Sequence, residues 1–101
     1  MIKKEIAGHW FQWDNDKAEI NKRKHGIRFE TAARVFADEN RKKRRDDIHS
    51  TNEEERWQTI GQVNGILFVV YTERSDSTRI IMARKASPKE RRAYYDSEEI
   101  Y

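Results

Sequence analysis

Two runs rich in β-branched and aromatic residues, Trp57–Val63 and Ile66–Thr72, flank the dipeptide Asn64-Gly65. That dipeptide tolerates the positive φ angles of a type I′ hairpin turn better than most pairs. A third apolar run, Arg79–Arg84, follows a short polar loop. The pattern predicts an antiparallel β-meander with Ile66–Glu73 as its middle strand. This strand is apolar at nearly every position, so both of its faces need cover. Pairing through the turn sets Val63 opposite Ile66, Trp57 opposite Thr72 and Arg56 opposite Glu73. One face then carries Trp57, Thr59, Val63, Phe68 and Val70; the other carries Arg56, Gln58, Ile60, Leu67, Val69 and Tyr71. A turn at Ser75–Ser77 brings Arg79 near Thr72 and adds Ile80 and Met82 to the face of Tyr71.

The flanking segments read as cover, rim and edge. Residues 1–9 are polar and expected to fray. Trp10–Trp13 can form a short strand with Phe11 and Trp13 on one face. Asp14 is a good N-cap, and Lys22, Arg23, Lys24 and His25 crowd the negative end of the helix it starts. Gly26 follows as the left-handed C′ residue. This helix has little apolar surface beyond Ala18 and Ile20, so much of it should stay wet. Phe29, Ala32, Ala33 and Phe36 share one face of a second short helix over 29–36. Arg28, at its N-cap, lacks a capping side chain, which weakens that helix by about 1 kcal/mol. The block Arg41–Arg45 fits either an edge strand, where charge is tolerated, or a mobile loop. Ser87-Pro88-Lys89-Glu90 is a capping box with proline at the first helical position, and it starts a short final helix. Residues 97–101 read as a frayed tail.

A chain of 101 residues is expected to form a single domain, 1–101, that buries about two-thirds of its unfolded surface. Charged residues make up 39% of it, yet the net charge is only +3, so a folded domain with a heavily charged surface is expected. A pI near 9.3 permits a polyanionic partner. Without cysteine there is no disulfide, thiolate nucleophile or Cys-type zinc site. With no long apolar run or signal peptide, the expected location is the cytoplasm, away from membranes.

His9, His25 and His49 are scattered, without zinc-ligand spacing, so no metal site is expected. Neither a phosphate-binding glycine loop nor a Gly-x-Ser-x-Gly turn is present, and no cofactor is expected. Lys24-His25-Gly26 has two readings: dipole complement and helix stop, or an ammonium and an imidazole facing a cleft. Arg56, Arg79 and Arg84 fall at or near strand ends. Each can be half of a solvated ion pair, or together they can grip a phosphodiester backbone. Glu55 is the carboxylate best placed as a proton acceptor. The Arg41–Arg45 block reads as a solvated charge run or as a nucleic-acid patch.

In order, Phe11-Gln12-Trp13-Asp14, Lys17, Asn21, Lys24-His25-Gly26, Phe29-Glu30, Ala32-Ala33, Val35-Phe36 and Asp38 form one half of a pattern. Glu55-Arg56-Trp57, Gly61, Thr72-Glu73-Arg74, Arg79–Arg84 and Glu90-Arg91-Arg92 before Tyr94 complete it. Spanning residues 10–95, this ordered set resembles the BrnT family, the ribonuclease toxins of type II toxin–antitoxin modules. The resemblance implies an α+β, RelE-like fold. Its two N-terminal helices would pack on an antiparallel meander of three to four strands, with a short C-terminal helix added. It also implies an RNA substrate and a BrnA-like antitoxin with a ribbon-helix-helix domain, through which alone operator DNA would be contacted.

The implied activity is metal-independent endoribonuclease cleavage that arrests translation and growth. Glu55 or His25 would transfer protons, and Lys24, Arg56, Arg79 and Arg84 would hold phosphate. Trp57 or Tyr71 would stack a base, with Arg74 as a further RNA contact. The alternative is a non-catalytic RNA-, DNA- or partner-binding module, such as a degenerate toxin that keeps its antitoxin interface.

Overall fold

The computed structural model describes residues 1–96. Its strands are β1 (Ile2–Ile6), β2 (His9–Trp13), β3 (Lys42–Arg45), β4 (Trp57–Gln62), β5 (Ile66–Glu73) and β6 (Thr78–Lys85). Helices are α1 (Asn15–His25), α2 (Phe29–Ala33), the 3-10 helix η1 (Arg34–Ala37) and α3 (Pro88–Tyr95). The six strands form one sheet in the order β1-β2-β6-β5-β4-β3. All neighbours are antiparallel except β2 and β6, which run parallel and pair at Phe11–Thr78 and Gln12–Arg79. The sheet is therefore mixed and has more strands than the expected three or four. Among the described residues, no helix is long and apolar enough to cross a membrane.

The N-terminal residues, expected to fray, instead form β1 and half of a hairpin. Ile2 and Ile6 pack on the cluster around Phe11 and Trp13, and Lys4 reaches Glu30 of α2 at 3.1 Å. Two anchors at alternate-strand spacing suffice to hold an otherwise charged strand. Its turn is Ala7-Gly8, with φ of 52° and 81°. An alanine in that left-handed region carries no turn signal in sequence. The expected tail, 97–101, lies outside the described residues.

The remaining helix punctuation is as read. Asp14 accepts the Lys17 amide, Gly26 closes α1 at φ 70°, and Ser87 with Glu90 forms the reciprocal capping box of α3. Arg28 makes no capping bond, and α2 gives way to η1 after five residues. Gly61 explains how η1 can lie directly on β4. A Cβ built there would sit 2.6 Å from Val35 Cγ1, so only glycine permits this approach.

The charge block resolves as the edge strand β3, and its two faces diverge. Lys42 turns towards α3, donating to the carbonyls of Ala93 and Asp96 at the helix's negative end. Lys43 and Arg45 alternate to the opposite face, opposite Thr59 and Trp57.

Two register details correct the expected faces. Gln62, not Val63, pairs with Ile66, and Trp57 pairs with Tyr71. Asn64 and Gly65 do take positive φ, but Val63 leaves the ladder and the loop gains a residue. That slip moves every β4 side chain to the other face relative to β5. Thr72 does face Arg79; a bulge then separates Ile80, opposite Tyr71, from Met82, opposite Val70. Hence Ile80 joins the core under α1 and α2, whereas Met82 packs on the α3 side.

One face of the sheet thus presents Phe11, Trp13, Leu67, Val69, Ile80 and Ala83 to α1, α2 and η1. The other presents Ile60, Ile66, Phe68 and Val70 to α3. Asp38, after η1, joins the two layers by accepting from the Gln62 amide at 2.8 Å and from the Tyr94 hydroxyl at 2.5 Å. Burial and the Asp38 carboxylate push the Tyr94 phenol up to about 12, so it stays a donor throughout the physiological range.

Candidate functional site

The helices leave one end of their sheet face uncovered, and a cleft of about 580 Å³ opens there. Its walls come from the β1–β2 turn with the start of β2, the end of α2 with η1, β3 with the residue before it, and the adjoining ends of β4, β5 and β6. Alternation decides which side chains enter. The cleft receives Lys43 from β3, Trp57 from β4, Tyr71 and Glu73 from β5, and Thr78 from β6.

The floor is aromatic and holds a guanidinium. Phe36 meets Tyr71 edge-on at 4.8 Å between ring centroids. Arg41 lies 4.9 Å over the Phe36 ring and donates to Thr59 Oγ1 at 3.1 Å. Burial pushes the Tyr71 phenol up despite the opposing hydrogen bond from Arg41, so it remains a neutral hydroxyl. Lys43 Nζ stands 5.3 Å from the Trp57 ring at the rim.

Glu55 enters just ahead of β4, its carbonyl held by the Thr72 hydroxyl at 2.8 Å. Its carboxylate accepts from Arg45 Nε at 2.9 Å, and Arg45 also binds Asp47 at 2.6 Å. Across the floor, Thr78 donates to Glu73 at 3.0 Å, and His9 Nε2 lies 3.3 Å from the same hydroxyl. The cleft therefore assembles carboxylates, an imidazole, two cations and stacking rings. These are the groups needed to move protons beside a phosphodiester and to hold its charge.

Of the residues nominated from sequence, Glu55, Trp57 and Tyr71 line this cleft. Lys24 and His25 close α1, which packs on β6, and do not line it. Arg56 and Arg74 share Glu54, each at 3.2 Å, beside a smaller recess. Arg84 makes two bonds to Glu90, at 2.8 and 3.0 Å, and covers Phe68 on the α3 side. Burial raises the Glu90 carboxyl, but the Arg84 and Ser87 hydrogen bonds outweigh it and hold that group ionised below the usual range. Arg79 faces Thr72 and alternates away from Thr78 and Ile80. The expected convergence of Arg56, Arg79 and Arg84 with Lys24 is not found; Arg41 and Lys43 are the cations in the cleft. The bulge opposite Val70 and Tyr71 determines which β6 side chains face α3, and nothing in the sequence marks it.

His9, Arg41, Lys43 and Glu73 were not among the residues nominated for the site, although Arg41–Arg45 was read as a possible nucleic-acid patch. A signal existed for two of them. Read as a strand, Arg41–Arg45 alternates, sending Arg41, Lys43 and Arg45 one way and Lys42 and Arg44 the other. Among the described residues, no group of three or more His, Cys, Asp or Glu side chains could hold a metal ion.

Residues 13–90 match the family model described as ribonuclease toxin, BrnT, of type II toxin-antitoxin system. The chain belongs to the BrnT family. The crystal structure of the Brucella abortus ribonuclease toxin BrnT, determined at 1.1 Å, superposes with a TM-score of 0.59. That match has 25% sequence identity and covers 76% of this chain and 95% of the Brucella BrnT chain. A comparison with curated proteins found no match. The protein is thus a BrnT-type ribonuclease toxin of a toxin–antitoxin system, with the α+β architecture of its Brucella relative. Membership of a toxin–antitoxin system implies RNA as substrate and an antitoxin as partner.

Proposed function

We propose that the cleft under η1 is where RNA is cut, by a metal-independent endoribonuclease reaction that arrests translation. The observation that carries this reading is the meeting of Glu55, Arg41, Lys43 and Trp57 in one concavity of a ribonuclease-family chain. Glu55 draws the proton from the 2′-hydroxyl. Arg41 and Lys43 hold the phosphate as negative charge builds on its oxygens. Trp57 stacks a base at the rim, and the neutral Tyr71 phenol donates a hydrogen bond from the floor. Lys24, His25, Arg56, Arg74, Arg79 and Arg84 have no catalytic part in this reading.

The donor set supports acid–base chemistry without a metal, since its cations are a guanidinium and an ammonium. The wider setting is RelE-like: a helix-backed sheet with an RNA-binding concavity, working in the cytoplasm. A BrnA-like antitoxin with a ribbon-helix-helix domain covers the concavity and alone carries contacts to operator DNA.

The test is cleavage of RNA by pure protein in excess EDTA. Cleavage should continue unchanged and be lost in Arg41→Ala, with folding verified by circular dichroism, while Arg84→Ala stays active. EDTA-sensitive cleavage would refute metal independence. Loss in Arg84→Ala with retention in Arg41→Ala would move the site to the α3 face. Salt-sensitive RNA binding without cutting would favour a non-catalytic module.

A further inference from the structure

The cleft supplies a base and an electrostatic clamp, but breaking the P–O5′ bond also needs a proton for the departing oxygen. We infer that His9 is the general acid of this reaction, held in place by the chain His9–Thr78–Glu73. The inference rests on the cleft reading above. It comes from the N-terminal hairpin, which brings His9, a residue ahead of the matched 13–90, to the wall of the cleft.

The hydrogen bonds determine the tautomer. Thr78 has one hydroxyl hydrogen, and it goes to the Glu73 carboxylate at 3.0 Å. Towards His9, 3.3 Å away, the same oxygen can only accept, so Nε2 carries a hydrogen. Nδ1 is then the nitrogen that gains and loses a proton, and no described residue bonds to it. Glu73 steadies the imidazolium through the shared hydroxyl, as a carboxylate orients histidine in other acid–base sites. The charged or titratable groups sharing this cleft with the ring are Glu55, Glu73, Arg41, Lys43 and Tyr71. The wall formed by η1 and α2 contributes only Ala33, Phe36 and Ala37, and the turn only Ile6, Ala7 and Gly8.

The step balances. The 2′-oxygen attacks phosphorus as Glu55 takes its proton, the P–O5′ bond breaks, and a 2′,3′-cyclic phosphate forms. His9 Nδ1 gives its proton to O5′, leaving neutral imidazole and a 5′-hydroxyl. Exchange with water returns both groups to their starting forms.

A matched pair of RNA substrates tests this, one with the natural 5′-oxygen and one with a bridging 5′-sulfur, which leaves without an acid. His9→Gln should slow the oxygen substrate by about 10²–10⁴-fold and leave the sulfur substrate close to its unaltered rate. In the unsubstituted protein, kcat/KM for the oxygen substrate should fall at alkaline pH, the mark of a step that needs an acid, and the sulfur substrate should lack that fall. Equal slowing of both substrates by His9→Gln would make the residue structural, and no slowing of either would remove it from the reaction. A limb common to both substrates overturns the assignment even if the variant misfolds. Glu55→Gln run alongside separates the two ideas. Its loss of cleavage with His9→Gln unaffected defeats only the acid, whereas full activity in both variants defeats the cleft reading itself.

Discussion

Glu55→Gln should lower the rate of RNA cleavage by about 10²–10⁴-fold, the range spanned by removal of one positioned proton-transfer group. The loss should fall on kcat, with KM nearly unchanged, because an amide fills the same space but cannot take the 2′-proton. Folding should hardly change. The Glu55–Arg45 pair is 59% and 42% exposed at its side chains, and pairs this wet add little to folding because water screens them. Arg45 also keeps Asp47. The Thr72 hydroxyl fixes the backbone at position 55 through the carbonyl, which the substitution leaves intact. Single-turnover cleavage together with a urea melt checks both halves. A variant that is as active as the parent removes Glu55 from the chemistry.

Asn21→Ala should lower stability by about 2–4 kcal/mol, since it strands three buried backbone groups at once. Asn21 is only 6% exposed, at the centre of a helix with scarcely any apolar surface. Its amide nitrogen donates to the carbonyls of Ile27 and Ala83 at 3.0 and 2.8 Å, and its oxygen accepts the Ala83 amide at 3.1 Å. The topology explains the need. β2 pairs with β6 only at Thr78 and Arg79, so further along that edge the backbone of β6 has no strand beside it. One side-chain amide stands in for the missing strand and ties α1 to the sheet. Asn21→Asp should be nearly as damaging at neutral pH, because a carboxylate has no hydrogen for either carbonyl. Denaturant unfolding measures both variants, and a loss below about 0.5 kcal/mol, ordinary for a surface position, would deny Asn21 this role.

Punctuation was the most legible part of the fold. Asp14, Gly26 and the Ser87–Glu90 box act within a few residues of themselves, so local sequence determines them. The middle strand β5 was equally clear, because a short apolar run rich in β-branched and aromatic residues, next to the Asn64-Gly65 turn, reads as a doubly covered strand. What escaped depends on distant partners. β1 exists because Ile2 and Ile6 meet Phe11 and Trp13, and no local propensity announces Lys3-Lys4-Glu5 as strand. The hairpin register turned on whether Val63 joins the ladder or the loop, a difference of one residue that reverses a face.

The site divided the same way. Glu55 and Trp57 were reached because they belong to the family pattern, and Tyr71 because it belongs to the meander. His9 was passed over because it falls in the segment expected to fray, one residue ahead of the strand expected at Trp10–Trp13. Arg41 and Lys43 were read only as part of a charge block, solvated surface or nucleic-acid patch, and not as site residues. The arginines nominated instead are held by acids or turned from the cleft. Arg84 is part of the α3 capping arrangement, and Arg56 and Arg74 are bound to Glu54.

The account stands most directly on where RNA lies. Glu55→Gln protein, which should bind RNA but leave it intact, can be photocrosslinked to an oligonucleotide carrying 5-iodouracil and digested for mass spectrometry. Crosslinks in the peptides that contain Lys43, Trp57 or Tyr71 are the predicted result. Crosslinks confined to α3 and the Arg79–Arg84 side of the sheet, with the cleft peptides unmodified, would contradict it.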